Sequence, residues 1–203
     1  MTEKRLLREW YAVEYKPEMI LEARKSNKRV TLKGIIQKAE TKNQNGRIYP
    51  RGILMREMEN YAKAIRERRA VGELDHPERS TVNLSEVSHL ITNATWDGDS
   101  VMGEIEVLPT PKGKILESLL ESGVTIGISS RGVGSTDKRH TNEGEVDMVN
   151  DDYVIICYDI VSEPSTPGAY LHEGTGKSLD CNLKSTWSKA DRIFRALNDI
   201  TRK

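Results

Sequence analysis

Long apolar runs, paired cysteines and an excess of one charge are all missing from this chain of 203 residues. No apolar stretch approaches the run of about 20 residues that a membrane-spanning helix needs, and the charged start lacks the apolar core of a signal peptide. The 31 basic and 31 acidic residues cancel, which argues against a general nucleic-acid-binding protein. The two cysteines, Cys157 and Cys181, fit a reducing compartment and form no CxxC pair, so a structural zinc site is not expected. Walker, Rossmann and HExxH patterns are absent too, so we predict no cofactor.

What remains is a moderately polar sequence, 36% hydrophobic and 31% charged, with a length that suits one domain with appendages. Residues 1–28 are highly charged and predict a peripheral helical arm that binds a partner or is cleaved off. Residues 29–170 hold the predicted strands and two amphipathic helices of the main domain, with a polar loop or loose hairpin over residues 136–152. Residues 171–203 predict a linker followed by an amphipathic helix.

A serine doublet at the end of a β-branched strand is the most informative feature, in the segment Thr125–Ser135. Ile126 and Ile128 suit a buried strand, and three glycines let the backbone come close to a ligand or to another strand. A serine at such a bend can place a nucleophile beside backbone N–H groups that would stabilise an oxyanion. A plain glycine- and serine-rich turn explains the same pattern, so a catalytic serine needs a base and an acid elsewhere.

The segment Ala70–Pro77 offers a candidate base, His76, between an aspartate and a proline. Proline biases the residue before it toward an extended backbone, and an imidazole held there could act as a general base. Glu73 and Asp75 could orient that imidazole, although Asp75, as the direct chain neighbour, should point away from it. A surface histidine in a turn is the alternative.

A candidate acid, Asp159, interrupts the buried strand predicted from Val154 to Tyr158, between Tyr158 and Ile160. A carboxylate inside a buried strand is costly unless it is paired, and a histidine partner would explain it. An aspartate that bonds local backbone at a strand end is the alternative. His89, in another predicted strand, could be a second base or a third catalytic residue, although a structural histidine is the simpler explanation.

Together these segments suggest nucleophilic catalysis by a serine. A serine hydroxyl at its free pKa is a poor nucleophile, so an imidazole must take its proton while an acid holds the imidazole. Spacing along the chain does not establish that the three groups meet, since such triads are defined by geometry. A metal-dependent hydrolase built on His76, His89, Asp75 and Asp159 is a further hypothesis.

Four short motifs, taken in order, resemble the prohead maturation proteases of T-even-like tailed phages: Asn45–Pro50, Gly72–Pro77, Gly127–Gly132 and Asp159–Ser165. The similarity covers roughly residues 30–170. That family is related to other prohead proteases and to the herpesvirus assemblins. The resemblance implies a serine endopeptidase of the α+β class, built as a small, mostly antiparallel β-barrel flanked by helices.

The resemblance also implies where the protein acts. It would work inside the immature capsid, the prohead, in the host cytoplasm, and would cut scaffold or core proteins, major capsid protein and itself before DNA is packaged. Self-association into an oligomer is expected, whereas a direct nucleic-acid partner, a membrane and a metal are not. A non-catalytic capsid-core or scaffold protein that keeps the protease fold is the alternative.

Carried over by motif, His76 is the base and a serine of the doublet is the nucleophile. A Gly-x-Ser pattern favours Ser129 and a Ser-x-Gly pattern favours Ser130; we prefer Ser129. The backbone N–H of Ser130 is one candidate oxyanion donor. Arg131 is the other, through its side chain or its own N–H.

The third catalytic residue varies among these relatives between histidine and a carboxylate. The segment that begins at Asp159 resembles their Glu-x-Ser strand, so we assign Asp159, with His89 and Glu73 as alternatives.

T-even-like relatives cut after a glutamate that has Ile or Leu two residues before it and a small residue after it. Glu22, preceded by Ile20 and followed by Ala23, matches that pattern. Glu121 matches it as well but lies in a predicted core helix. The resemblance therefore predicts self-cleavage between Glu22 and Ala23.

Overall fold

The structure is a computed structural model and describes residues 4–26, 28–141 and 144–162. Its α-helices are α1 (Pro17–Lys25), α2 (Arg51–Arg66) and α3 (Pro111–Glu121). Its strands, in chain order, are β1 (Arg5–Glu14), β2 (Thr31–Lys38), β3 (Arg47–Ile48), β4 (Val71–Glu73), β5 (Val87–Asp97), β6 (Ser100–Val107), β7 (Gly127–Gly134), β8 (Thr136–Thr141), β9 (Gly144–Val149) and β10 (Val154–Val161).

The strands form two sheets that are mostly antiparallel. The larger sheet has the order β10-β7-β1-β2-β6-β5-β4, and all of its neighbours run antiparallel. The smaller sheet has the order β3-β9-β8, in which β3 and β9 are parallel. The two outer strands of the larger sheet approach each other at one parallel bridge between Leu74 and Ile160. The predicted α+β class with mostly antiparallel strands is confirmed.

The N-terminal segment is where the prediction was wrong. We expected a peripheral helical arm over residues 1–28, but β1 lies inside the larger sheet between β7 and β2, and among the described residues of this segment only α1 is helical. The buried residues Leu7 and Glu9 alternate with the less buried Leu6 and Arg8, which is the period of a strand. Because one inward position carries a charge, the apolar alternation that would have indicated a strand is broken.

The hairpins and the middle helices agree with the sequence. β5 and β6 form the predicted hairpin, with Gly98 in the left-handed region at φ +58°. The polar segment after β7 forms the second hairpin, β8–β9, rather than a mobile loop. α2 begins directly after Pro50 and buries an apolar stripe against the sheet. α3 is capped by Thr110, whose hydroxyl accepts a hydrogen bond from the Gly113 N–H at 3.0 Å.

The described residues all belong to one compact unit, Met1–Leu171, and His172–Lys203 fall outside it. This unit contains residues 1–28 together with the strands of the predicted main domain. The linker and amphipathic helix predicted for residues 171–203 lie outside the described residues. No helix in the described ranges is long and apolar enough to cross a membrane.

The two faces of β10 have different surroundings, and this difference positions the site. On one face the Tyr158 ring packs edge-on against Tyr61 of α2, with the ring centroids 5.3 Å apart, and its hydroxyl lies 3.2 Å from the sulfur of Met58. This face belongs to the hydrophobic core. The next residue, Asp159, projects to the opposite face, because side chains alternate along a strand.

Candidate active site

Strands β7 and β10 bring the predicted serine and aspartate together. In their antiparallel pairing Ser129 lies opposite Asp159, and Ser130 lies opposite Tyr158. Directly opposed residues of such a pair share a face, with Cβ atoms about 5 Å apart. Ser129 and Asp159 therefore lie on one face of the sheet, and Ser130 and Tyr158 lie on the other.

The face of Ser130 is the core. Among the described residues, its fully buried hydroxyl has no hydrogen-bond partner. The neighbouring Gly132 points the same way, and a side chain there would meet the ring of Tyr153 at 2.4 Å. Ser130 is thus enclosed by packed side chains on the side of the sheet away from Asp159.

The predicted base meets the predicted acid. His76 Nδ1 lies 2.7 Å from Asp159 Oδ2. The segment that carries His76 is fixed on β10, because the Asp75 N–H donates to the Ile160 carbonyl at 2.7 Å. Asp75 has a left-handed backbone at φ +73°, and its carboxylate accepts from the His76 N–H at 2.8 Å. Asp75 therefore shapes the turn and, as expected, does not orient the imidazole.

The surroundings of Asp159 keep it ionised. Burial raises the pKa of this carboxyl, but the His76 hydrogen bond, the Arg131 charge and the Glu73 N–H, which donates at 3.1 Å, outweigh burial and hold the pKa below its ordinary value. An ionised Asp159 accepts from His76 Nδ1–H, so the other ring nitrogen, Nε2, carries the lone pair. That nitrogen is buried and has no hydrogen-bond partner among the described residues. The pair thus presents an unengaged basic nitrogen.

Arg131 holds the acid from the other side. Its side chain is fully buried, with Nε 2.9 Å from Asp159 Oδ2 and Nη2 3.2 Å from Glu73 Oε1. Nη1 donates to the carbonyls of Arg79 at 2.9 Å and Thr81 at 3.3 Å. The guanidinium therefore positions both carboxylates and the loop that follows His76. A direct role at the oxyanion is not among these contacts and stays a prediction.

The hydrogen bonds and ion pairs of Glu73 anchor the same loop and do not orient the imidazole. Its carboxylate accepts from the Asn83 N–H at 2.7 Å and pairs with Arg79 and Arg131. The ends of the loop over residues 77–83 are thereby anchored beneath the site. Of the carboxylates weighed as orienting acids, Asp159 is the one that contacts the His76 imidazole.

His89 is a structural histidine. It is fully buried, with Nδ1 2.9 Å from the Ser88 hydroxyl and Nε2 2.9 Å from the Tyr158 carbonyl. Burial lowers its pKa from 6.5 to about 4, against the opposing effect of Asp159. Because the carbonyl requires a donor, Nε2 carries the proton and Nδ1 accepts from the serine. Both nitrogens are occupied, so neither is free to act as a base.

The described residues form neither a metal-binding cluster nor a reactive thiol site. Within the ranges that the structure describes, no group of three or more His, Cys, Asp or Glu side chains could hold a metal ion. Cys157 lies buried 3.0 Å from Arg131 Nη2, yet burial raises the pKa of its thiol well above the ordinary value. This cysteine is a packing neighbour of the network and not a nucleophile.

The candidate self-cleavage bond lies inside α1. Glu22 is exposed and Ala23 is half-buried, whereas Ile20 is buried in the core. A helix does not present an extended peptide to a protease. Cleavage at this bond therefore requires α1 to open locally, which short surface helices do at low cost.

Comparison with known proteins decides the family. Residues 17–178 match the family described as prohead core protein serine protease. This chain belongs to that family. The prohead core protein protease of Enterobacteria phage T4 is 32% identical over 178 residues, which cover 85% of this chain and 81% of the T4 protein. The solved structure of the bacteriophage T4 capsid assembly protease, gp21, aligns with a TM-score of 0.66 at 26% identity, over 80% of this chain and 99% of that one.

The matches confirm the family that the four motifs indicated. The geometry adds what the motifs did not contain, namely the buried Arg131–Glu73 pair behind the acid. A signal for it was present in the sequence, because an arginine between small residues of a buried strand is costly without a buried acid. The partner, 58 residues away in the chain, could not be chosen from spacing.

Proposed function

We propose that this protein is a serine endopeptidase with Ser129 as nucleophile, His76 as general base and Asp159 as the acid that orients the base. The observation that carries the proposal is the 2.7 Å contact between His76 and Asp159, on the face of the sheet that Ser129 shares. The other serine of the doublet, Ser130, does not face this pair, because its side chain points into the core.

The residues divide the chemistry as follows. His76 Nε2 takes the proton of the Ser129 hydroxyl, and the oxygen attacks the scissile carbonyl. His76 then gives that proton to the leaving amine, and water releases the acyl group by the same route. Asp159 stabilises the imidazolium in each step. The N–H groups of Ser130 and Arg131 are the candidate oxyanion donors, although only N–H groups not taken by the ladders of β7 with β1 and β10 can serve.

We propose the prohead as the site of action, in the host cytoplasm, and scaffold or core proteins, major capsid protein and the chain itself as substrates. Family membership and the names of the T4 relatives support this. Cleavage would follow glutamate in (Ile/Leu)-x-Glu sequences, and the enzyme would act as an oligomer. The bridge between Leu74 and Ile160 supports a small barrel like that of the herpesvirus proteases, since it joins the outer strands of the larger sheet.

The test compares wild type, Ser129→Ala and Ser130→Ala on a peptide that contains Ile-x-Glu-Ala. We expect cleavage after glutamate to disappear in Ser129→Ala. Ser130→Ala should retain activity and lose no stability, because it removes an unpaired buried hydroxyl. Activity lost in Ser130→Ala and kept in Ser129→Ala would contradict the assignment.

The competing proposal is a non-catalytic core protein. Reaction with a serine-directed phosphonate separates the two, since only an activated serine is modified. A wild-type chain that is folded, assembled with scaffold and neither cuts the peptide nor takes up the phosphonate would favour the core protein.

A further inference from the structure

A second buried charge cluster lies at the N-terminal strand, on the core side of the sheet. The Glu9 carboxylate of β1 is 1% exposed. It accepts hydrogen bonds from the Tyr49 hydroxyl at 2.9 Å, from Arg47 Nη1 at 3.0 Å and from Asn45 Nδ2 at 2.9 Å. All three donors come from the motif Asn45–Pro50, which the active site does not use. We call this cluster the Glu9 clamp.

The clamp holds backbone as well as side chain. Asn45 Nδ2 also donates to the Arg8 carbonyl at 2.8 Å, and Arg47 Nη1 lies 3.4 Å from the same oxygen. A buried carboxylate is expensive without partners, so β1 has one favourable position along this motif. That position sets Glu9 opposite Ser130 of β7.

The strand so fixed is part of the catalytic sheet. Eight residues of β1, Arg5–Ala12, lie opposite eight residues of β7, Gly134–Gly127. Removal of β1 would leave the edge of the serine-bearing strand without its backbone partners. It would also leave Arg47 and Tyr49 without the carboxylate that they bind. A segment designed for release would not be expected to lie in the middle of a sheet.

The predicted cleavage site lies outside this strand. Glu22 lies eight residues beyond the end of β1 at Glu14, so the fragment would carry all of β1 and most of α1. Its further anchors are Leu7 and Ile20 in the core and the Tyr15 hydroxyl, which donates to the Val124 carbonyl at 2.6 Å.

We propose that residues 1–22 stay bound as a separate chain after self-cleavage, held by the Glu9 clamp as a permanent strand of the protease. The cut itself rests on the function proposed above, but the binding of the strand does not. The mature enzyme would then consist of two non-covalently associated pieces.

The experiment uses the full chain with Ser129→Ala, so that the protein cannot cut itself. A recognition site for a sequence-specific protease is inserted after the exposed Ser26, and the purified chain is cut there with the added enzyme. We expect both pieces to co-elute from a native gel-filtration column and to separate in denaturant, with intact mass identifying each. Elution of the N-terminal piece alone, while the remainder keeps its circular dichroism spectrum, would overturn the proposal.

Two charge-matched variants test the clamp. Glu9→Gln should speed the exchange of the bound piece for a labelled peptide of residues 1–26 at least about tenfold, because charge-assisted hydrogen bonds are lost. Glu18→Gln, at an exposed position of α1, makes the same charge change and should not alter the rate. Equal rates in both variants would refute the clamp.

Where Glu9→Gln does not fold, Tyr49→Phe serves in its place, because it removes a single hydrogen-bond donor to Glu9. It should also speed the exchange of the bound piece. Mass analysis of the wild-type chain separately reports whether the bond after Glu22 is cut. Failure of self-cleavage and failure of strand retention are thereby distinguished.

Discussion

Replacement of Arg131 by methionine separates the two roles considered for this residue. Methionine keeps much of the apolar volume but removes the only guanidinium that contacts Asp159 and Glu73 together in the described residues. Removal of one partner of a buried ion pair typically costs about 3–5 kcal/mol, and Arg131 is fully buried between its two acids. We therefore expect the free energy of unfolding to fall by about 3–5 kcal/mol near neutral pH.

The pH dependence follows from Asp159. The Arg131 charge helps to hold the pKa of Asp159 below its ordinary value, so in Arg131→Met that pKa rises. The variant then gains stability relative to wild type as the pH falls through the raised pKa, because the uncompensated carboxylate takes up a proton. The difference in unfolding free energy should thus be smaller at pH 5 than at pH 8.

The assay is urea unfolding, followed by fluorescence, in the Ser129→Ala background that prevents self-cleavage. Arg24→Met is the matched control, since Arg24 forms an exposed ion pair with Glu121 and should cost at most about 1 kcal/mol. An Arg131 side chain that served the oxyanion alone would leave the urea midpoint unchanged, and Arg131→Met made in the chain that keeps Ser129 would lower kcat by about 10²–10³. That result would refute the positioning role.

Three further predictions test other parts of the site. Because burial lowers the pKa of His89 from 6.5 to about 4, the unfolded chain binds a proton that the folded chain excludes. Stability should fall by up to about 3 kcal/mol between pH 6.5 and 4, and an equally steep fall in His89→Gln, seen by urea titration at each pH, would contradict this. Gly72→Ala would place a methyl group 1.9 Å from a backbone carbonyl of β10, so it should lower the melting temperature sharply, whereas Gly52→Ala, with nothing within 4 Å, should not. Asp159→Asn should lower kcat by about 10³–10⁴ with little change in KM, because the amide favours the wrong imidazole tautomer, and a mild loss would show that Asp159 does not orient His76.

Locally unusual residues made part of the site predictable. His76 precedes a proline, and Asp159 interrupts an apolar strand, so both positions were locally unusual. The contact between the two side chains explains both. The choice between Ser129 and Ser130 was open for the opposite reason, since adjacent serines have the same local pattern. Which serine faces the acid depends on pairing with a strand about 30 residues further along, and a local pattern does not contain that pairing.

The misassigned N-terminal strand has a related cause. An acid at an inward position argues for a solvent-exposed helix when only neighbours in the chain are considered. Glu9 becomes acceptable inside the sheet because Asn45, Arg47 and Tyr49 bind it from more than 35 residues away. Tertiary contacts override intrinsic preference most strongly at such positions.

The buried charges described above bear on which serine of the doublet lies beside Asp159. A slip of β7 by one residue would move every side chain to the opposite face. It would exchange Ser129 for Ser130 beside Asp159 and turn the Arg131 guanidinium into the apolar side of the sheet, where its acids are absent. The desolvation cost of an unpaired buried charge opposes that slip, and the Glu9 clamp fixes the position of β1, the strand with which β7 pairs. Buried polar groups that reduce stability relative to an apolar core thereby specify which of two adjacent serines lies on the face of Asp159.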